Sequence, residues 1–190
     1  MKTNSFIASI VLLVISTGLN AQNFDFRNTK WGMDSLAVKK AEVSTLQFSK
    51  KKSLVYNGKL GDIDARIVYD FTSSNKLYHA AYYITLDEKN PQQSVNTFLL
   101  LQESLTKKYK DPYLKLISTI NGKVLKQEEW ASNLISDNLN FETKWKTDKT
   151  NISLSLFSIN DVLCIEINYY SIENDSKNSE ERKALIYKEL

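Results

Sequence analysis

An imidazole beside a carboxylate can take a proton from a substrate. This chain has one histidine with which to build such a pair, His79. Two alternating segments bring it opposite an aspartate. Ile63, Ala65, Ile67, Tyr69 and Phe71 alternate with Asp62, Asp64, Arg66, Val68 and Asp70, the period of two of a half-buried strand. Ser73-Ser74-Asn75-Lys76 is a turn cluster, and Leu77 to Thr85 reads as the returning strand. A four-residue loop sets Phe71 opposite Tyr78, Tyr69 opposite Ala80, Ile67 opposite Tyr82 and Ala65 opposite Ile84. That makes one apolar face, which a slip of one residue would scatter. The other face then carries His79 across from Asp70 and Tyr83 across from Arg66, close enough to interact. No third member and no motif surrounds the pair. It reads first as a solvated ion pair and second as the base of a hydrolase-like enzyme using Asp70 and His79.

Other chemistry is thinner still. Asp62, Asp64 and Glu166 form a third, weaker candidate as a metal site, without a recognised binding loop. Cys164 is the single cysteine, so no internal disulfide can form, and its apolar strand setting reads as a buried, inert thiol. With one Cys and one His the usual zinc sets are short of ligands, and no cofactor is expected. What the polar faces do offer is recognition chemistry. Tyr83, Phe157 and Tyr170, with Arg66, Asp70 and His79, make a mixed aromatic and charged surface, and tyrosine combines contact area with a polar handle.

The elements that must hold these residues begin after an apparent leader. Lys2 precedes the apolar run Phe6 to Ile15, and Ser16 to Ala21 supplies small and polar residues ahead of a cut after Ala21, the pattern of a secretory signal peptide. The run is short of the ~20 residues a spanning helix needs, so an uncleaved anchor is the lesser reading. No cysteine lies near the cut for lipid attachment. Residues 22–190 are then expected to form one domain, periplasmic or secreted and not a lipoprotein.

Phe24 and Phe26 lead to Trp31 and Gly32. Asp34 is a good N-cap for a short helix over Ser35 to Glu42 carrying Leu36, Val38 and Ala41. The spacing Phe26-Arg27-x-x-x-Trp31-Gly32, a cap, then Val38 and Glu42 resembles the opening of a group of uncharacterised exported bacterial proteins. The resemblance implies a small α+β domain with the capped helix on an antiparallel sheet, and no activity. Phe26, Trp31 and Gly32 read as an anchoring turn.

Ser53 to Tyr56 reads as a short strand ending in an Asn57-Gly58 turn. Asn90-Pro91 opens the clearest helix, with Val95, Phe98, Leu99, Gln102, Leu105 and Tyr109 on one face and Leu101 alongside. Asp111-Pro112 closes it. Its Lys-Tyr-x-x-Pro ending resembles a helix end of the same exported proteins, in which Gly follows the Tyr; here Lys110 takes that place.

Leu114, Leu116 and Ile120 suggest a strand before an Asn121-Gly122 turn, while Glu128 to Ile135 is open between strand and helix. The last strands are plainer. Phe141, Thr143 and Trp145 alternate, then Ile152, Leu154 and Leu156, then Leu163, Ile165, Ile167 and Tyr169 after an Asn160-Asp161 turn. That turn aligns Leu156 with Ile165, Leu154 with Ile167 and Ile152 with Tyr169, and leaves Glu166, Asn168, Ser153 and Ser155 on a polar face. Residues from about 174 read as a charged tail, helical over Ser179 to Lys188.

The fold expected is α+β: an antiparallel sheet packed on one face by the central amphipathic helix and the short N-terminal helix. At 42% hydrophobic and 25% charged the composition is that of a globular chain. The formal charge is +3, of which Lys2 is the leader's share, leaving +2; that is too little, and too spread, for nucleic acid. The functional expectation is an exported envelope protein acting as a non-catalytic binding or protein-interaction module. Its expected partner is an envelope protein or a small ligand, and it meets the membrane only through the signal peptide before cleavage.

Overall fold

The structure, a computed structural model, describes residues 24–190 except 51, 88, 120, 121, 124, 136–138, 160, 161 and 190. The expected leader and the Asn160-Asp161 turn lie outside the described residues, as do Ile120 and the Asn121 of the Asn121-Gly122 turn.

The chain runs α1 (Ser35–Ala41), β1 (Thr45–Lys50), β2 (Ser53–Leu60), β3 (Ile63–Phe71), β4 (Leu77–Leu86), α2 (Pro91–Tyr109) and β5 (Leu114–Thr119). A 3-10 turn, Gln127–Glu129, leads into α3 (Trp130–Ile135), then β6 (Leu139–Lys146), β7 (Thr150–Ile159), β8 (Val162–Ser171) and α4 (Ile172–Glu189). The expected α+β class stands. All eight strands join one antiparallel sheet in the order β1-β2-β3-β4-β8-β7-β6-β5. Two four-stranded meanders therefore meet back to back along β4 and β8.

The registers read from alternation are present: Tyr69 faces Ala80, Ile67 faces Tyr82, Asp70 faces His79 and Arg66 faces Tyr83. Leu156–Ile165, Leu154–Ile167 and Ile152–Tyr169 pair across β7 and β8. One pairing differs. Phe71 sits opposite Leu77, because the ladder shifts after Asp70, and Tyr78 becomes the extra residue of a bulge. The bulge keeps both Phe71 and Leu77 in the core while His79 stays on the polar face.

Asn57-Gly58 is not a turn. Both residues lie inside β2, paired with Arg66 and Ala65, and the chain reverses at Gly61, whose φ is 65°. Gly58 is there for space. A Cβ on it would meet Ile67 Cδ1 at 2.5 Å and Ser44 Oγ at 2.6 Å, so close approach of neighbours, not turn geometry, selects glycine. Strand β1 was not expected either. Every one of its residues is exposed, and the brief alternation of Leu46 and Phe48 with Thr45, Gln47 and Ser49 is too short to mark a strand. Glu128 to Ile135 is helical, which settles the segment left open.

Helix α1 is capped as expected, with Asp34 Oδ1 accepting from the Ala37 N–H at 2.7 Å, and Val38 is its buried residue. Helix α2 buries Val95, Phe98, Leu101 and Leu105. Phe98 meets Phe141 of β6 at 5.2 Å between ring centres, and Gln102 donates to Thr143 Oγ1 at 2.7 Å. Trp130 of α3 stands edge-on to the same Phe141 at 5.3 Å. The C-terminal segment starts its helix earlier than expected, at Ile172, and its first half docks. Asn178 is buried, and Glu181 accepts from the Ser73 N–H at 2.9 Å and from the Ser74 hydroxyl at 2.6 Å. Beyond Glu181 the apolar Leu185, Ile186 and Tyr187 are exposed.

Helix α2 ends on Lys110 at φ 70°, ψ −162°, a conformation that is essentially glycine's own and costs other residues about 1–3 kcal/mol. Lys110→Gly is therefore expected to stabilise the fold, by about 1 kcal/mol after the added freedom of the unfolded glycine is set against the relief. Urea denaturation read by circular dichroism checks it. An unchanged or lowered midpoint would show that the strain is not carried at Lys110.

Candidate functional site

Strand alternation and the antiparallel ladders arrange the polar face of the sheet in rows. One row is Asn57, Arg66, Tyr83, Glu166, Ser155 and Glu142; the next is Val55, Val68, Ala81, Asn168, Ser153 and Lys144; a third is Ser53, Asp70, His79, Tyr170, Asn151 and Lys146. The contacts of α2 and α3 described above reach the opposite face, which carries Phe141, Thr143 and Tyr169.

At the centre of the rows His79 is held from three sides. Nδ1 lies 2.8 Å from Asp70 Oδ2 and Nε2 lies 3.1 Å from Asn168 Oδ1. The ring stacks on Tyr170, 4.3 Å between centroids and 22° from parallel. Asn168 is oriented in turn by donating from Nδ2 to Glu166 Oε2 at 3.3 Å. The Asp70–His79 pair is thus correctly placed by the sequence but is not the solvated ion pair expected. His79 is 5% exposed, while the Asp70 side chain keeps 28%. Tyr170 and Asn168, both from β8, cover the imidazole. Sequence alternation puts Asn168 on this face; only the β4–β8 register shows that it meets His79.

This cluster closes the middle of the face and leaves a hollow on each side. The first, about 370 Å³, is walled by Phe48, Val55, Val68, Arg66 and Tyr83 with Gln47. Burial pushes the Tyr83 hydroxyl up to about 12, aided by Glu166, Tyr170 and Asp70, so it stays a neutral donor and acceptor near neutral pH. The second hollow, about 560 Å³, lies between Tyr113 and Tyr170 over Glu142, Lys144, Asn151 and Ser153, with Lys146 at its rim. Burial also raises the Tyr170 hydroxyl, with Tyr78, Asp175, Asp70 and Glu166 adding to it. Of the six surface residues expected, Arg66 and Tyr83 share the first hollow, Tyr170 borders the second, and Asp70 and His79 stand between. Phe157, paired with Cys164 across β7 and β8, borders neither. Phe48 and Tyr113 were missed, one on an unmarked edge strand and the other in an irregular lead-in to β5.

The metal reading fails on position. Asp64 pairs with Lys59 at 3.2 Å, and Glu166 is on β8 with β4 between them. Among the described residues no group of three or more His, Cys, Asp or Glu is placed to hold a metal ion. Cys164 is half-buried, and burial followed by Glu166 raises its thiol, which disfavours the thiolate a nucleophile needs.

A second polar cluster sits on the core side, built from the opening segment. Arg27, at φ 48°, donates from Nε to Glu42 Oε2 at 2.8 Å and from NH2 to Oε1 at 3.2 Å. Its other donors reach the Lys59 carbonyl, Tyr82 Oη and Ser44 Oγ. Glu42 also accepts from Tyr69 Oη and from the Ser44 N–H. Trp31 Nε1 donates to Thr150 Oγ1 at 2.9 Å, and the Gly32 N–H to the Leu77 carbonyl at 2.9 Å. The opening motif therefore ties α1 to both meanders. Phe26, Trp31 and Gly32 stand in the turn that makes these ties.

Comparison of the chain with protein-family models, with curated proteins and with solved structures finds no match. Among the described residues no helix is long and apolar enough to cross a membrane.

Proposed function

We propose that this chain is an exported protein of the bacterial cell envelope, periplasmic or secreted, that works by binding through the polar face of its sheet. One observation carries this reading: two open hollows bordered by aromatic and polar side chains flank a hydrogen-bonded cluster, on the face opposite the α2 and α3 contacts. Concave sites with a few convergent polar groups are where ligands bind. The hydrolase reading has less support. Both ring nitrogens of His79 already face oxygen partners and the ring is covered, so a substrate would have to displace Asp70 or Asn168 to reach a general base.

The test is site-specific photo-crosslinking in the native envelope, with a benzophenone amino acid at Arg66 and, as control, at Leu100, which is exposed on α2. Adducts from position 66 and none from position 100 are expected. Equal labelling at both, or none at 66, would overturn a binding role for this face.

A further inference from the structure

We propose that the second hollow is a binding site for a glycan, an oligosaccharide laid across strands β6 to β8 from Tyr113 to Tyr170; this rests on the binding reading above and names its ligand class. Four features converge on it. The site extends from Tyr113, just ahead of β5, to Tyr170 on β8, three strand spacings or about 14 Å, and its volume of about 560 Å³ falls in the range of ligand sites. A short chain of sugar rings matches that breadth.

The two ends are tyrosines. Tyr170 has one face stacked on His79, which fixes the ring in place before any ligand arrives. Tyr113 is 65% exposed, and its N–H is tied to the Lys144 carbonyl at 3.0 Å. Aromatic rings of this kind give apolar contact to the C–H faces of sugar rings and a hydroxyl to their edges.

Between them lies a carboxylate, an ammonium, an amide and a hydroxyl from Glu142, Lys144, Asn151 and Ser153. Each sugar hydroxyl both donates and accepts, and this floor offers both partners. The charges largely cancel, since Lys144 pairs with Glu142 at 2.9 Å and Lys146 is the remaining cation. A phosphate-rich polymer would call for a field of one sign, which is not present.

A peptide fits less well. The hollow crosses β6, β7 and β8, whose backbone groups are spent in their own ladders, so a peptide backbone would find no pairing there of the kind a sheet edge gives. A glycan needs side chains alone.

The test is calorimetric titration of the purified protein with cellohexaose, maltohexaose, chitohexaose and hexagalacturonic acid, the last distinguishing an acidic sugar held by Lys146 from a neutral one. Saturable binding of at least one is expected, weakened about tenfold by Tyr113→Ala and restored by Tyr113→Trp. Tyr170→Ala should weaken it as well, but because Tyr170 also packs on His79 the exposed Tyr113 carries the test. No saturable binding to any of the four, or binding that ignores Tyr113→Ala, overturns the assignment. If protein adducts still form at position 66, the glycan assignment alone falls; if those are absent too, the binding reading falls with it.

Discussion

Glu42→Ala is expected to cost about 3–5 kcal/mol, the penalty for breaking a buried ion pair and leaving its partner uncompensated. The Glu42 side chain is 0% exposed and that of Arg27 18%. Removal of the carboxylate takes the counter-ion from Arg27 and leaves Arg27 Nε, the Tyr69 hydroxyl and the Ser44 N–H without their acceptor. Chemical denaturation measures the loss, and a cost under about 1 kcal/mol, the worth of a surface pair, would mean the cluster holds nothing. Replacing both partners by apolar residues, Arg27→Met with Glu42→Leu, should recover part of the stability, because the desolvation penalty vanishes with the charges while the Tyr69 hydroxyl and the Ser44 N–H still lack their acceptor.

The same cluster sets an acid limit. Burial alone pushes the Glu42 carboxyl up, but hydrogen bonds from Tyr69, Ser44 and Arg27 outweigh it and hold the group below the ordinary carboxylate value of 4.5. A folded value below the unfolded one gives stability that is fully present above about pH 4.5 and is lost as pH falls through the folded value. Unfolding free energy should therefore decline below pH 4.5 with a slope that Glu42→Gln flattens.

Phe26→Ala is expected to be as damaging, about 3–5 kcal/mol. The ring is 4% exposed and packs on three tyrosines: Tyr69 at 5.5 Å, Tyr82 at 5.0 Å and Tyr169 at 5.0 Å between centroids. Aromatic pairs add about 0.5–1.5 kcal/mol beyond burial. Phe26 also lines a cleft of about 190 Å³ with Leu60, Leu101, Leu105 and Ile167, bordered at the surface by Arg27, Ser104 and Lys108. The space it vacates would deepen that cleft into the core, and the cost of the part left unfilled grows by about 24 cal/mol per Å³. A loss near the upper bound is expected by thermal and urea denaturation, with Phe26→Leu recovering much of it. A loss below about 1.5 kcal/mol, the scale of a volume-conserving swap, would show that α2 and the tyrosines close over the gap.

How far these features could be read in advance follows from where their signal lies. Strands with one dry face announce themselves by alternation, so β3, β4, β6, β7 and β8 were legible, and with them the Asp70–His79 pair. Edge strand β1 has no dry face, and α3 is too short to show a helical period. Gly58 looked like a turn residue because sequence spacing does not register that Ile67 and Ser44 press against it. The candidate site was half legible. Arg66, Tyr83 and Tyr170 follow from alternation, but the partners of His79 depend on β4 lying beside β8. No local rule sets that pairing, since the two strands belong to different meanders.

That seam also governs how the protein must acquire its shape. Within each meander neighbouring strands are joined by short or moderate connections, but β4 pairs with β8 through partners such as His79 with Tyr170 and Leu86 with Leu163, far apart in the chain. Such pairings raise contact order and must meet the entropy of closing a long loop before they yield any contact energy. Each four-stranded half can condense early, whereas the seam and the His79 cluster that spans it wait for the two halves to collide in register. Until then the inner edges of β4 and β8 are unpaired strand edges, the surfaces through which partly folded chains aggregate. Refolding yield should accordingly fall with protein concentration more steeply than native solubility would suggest.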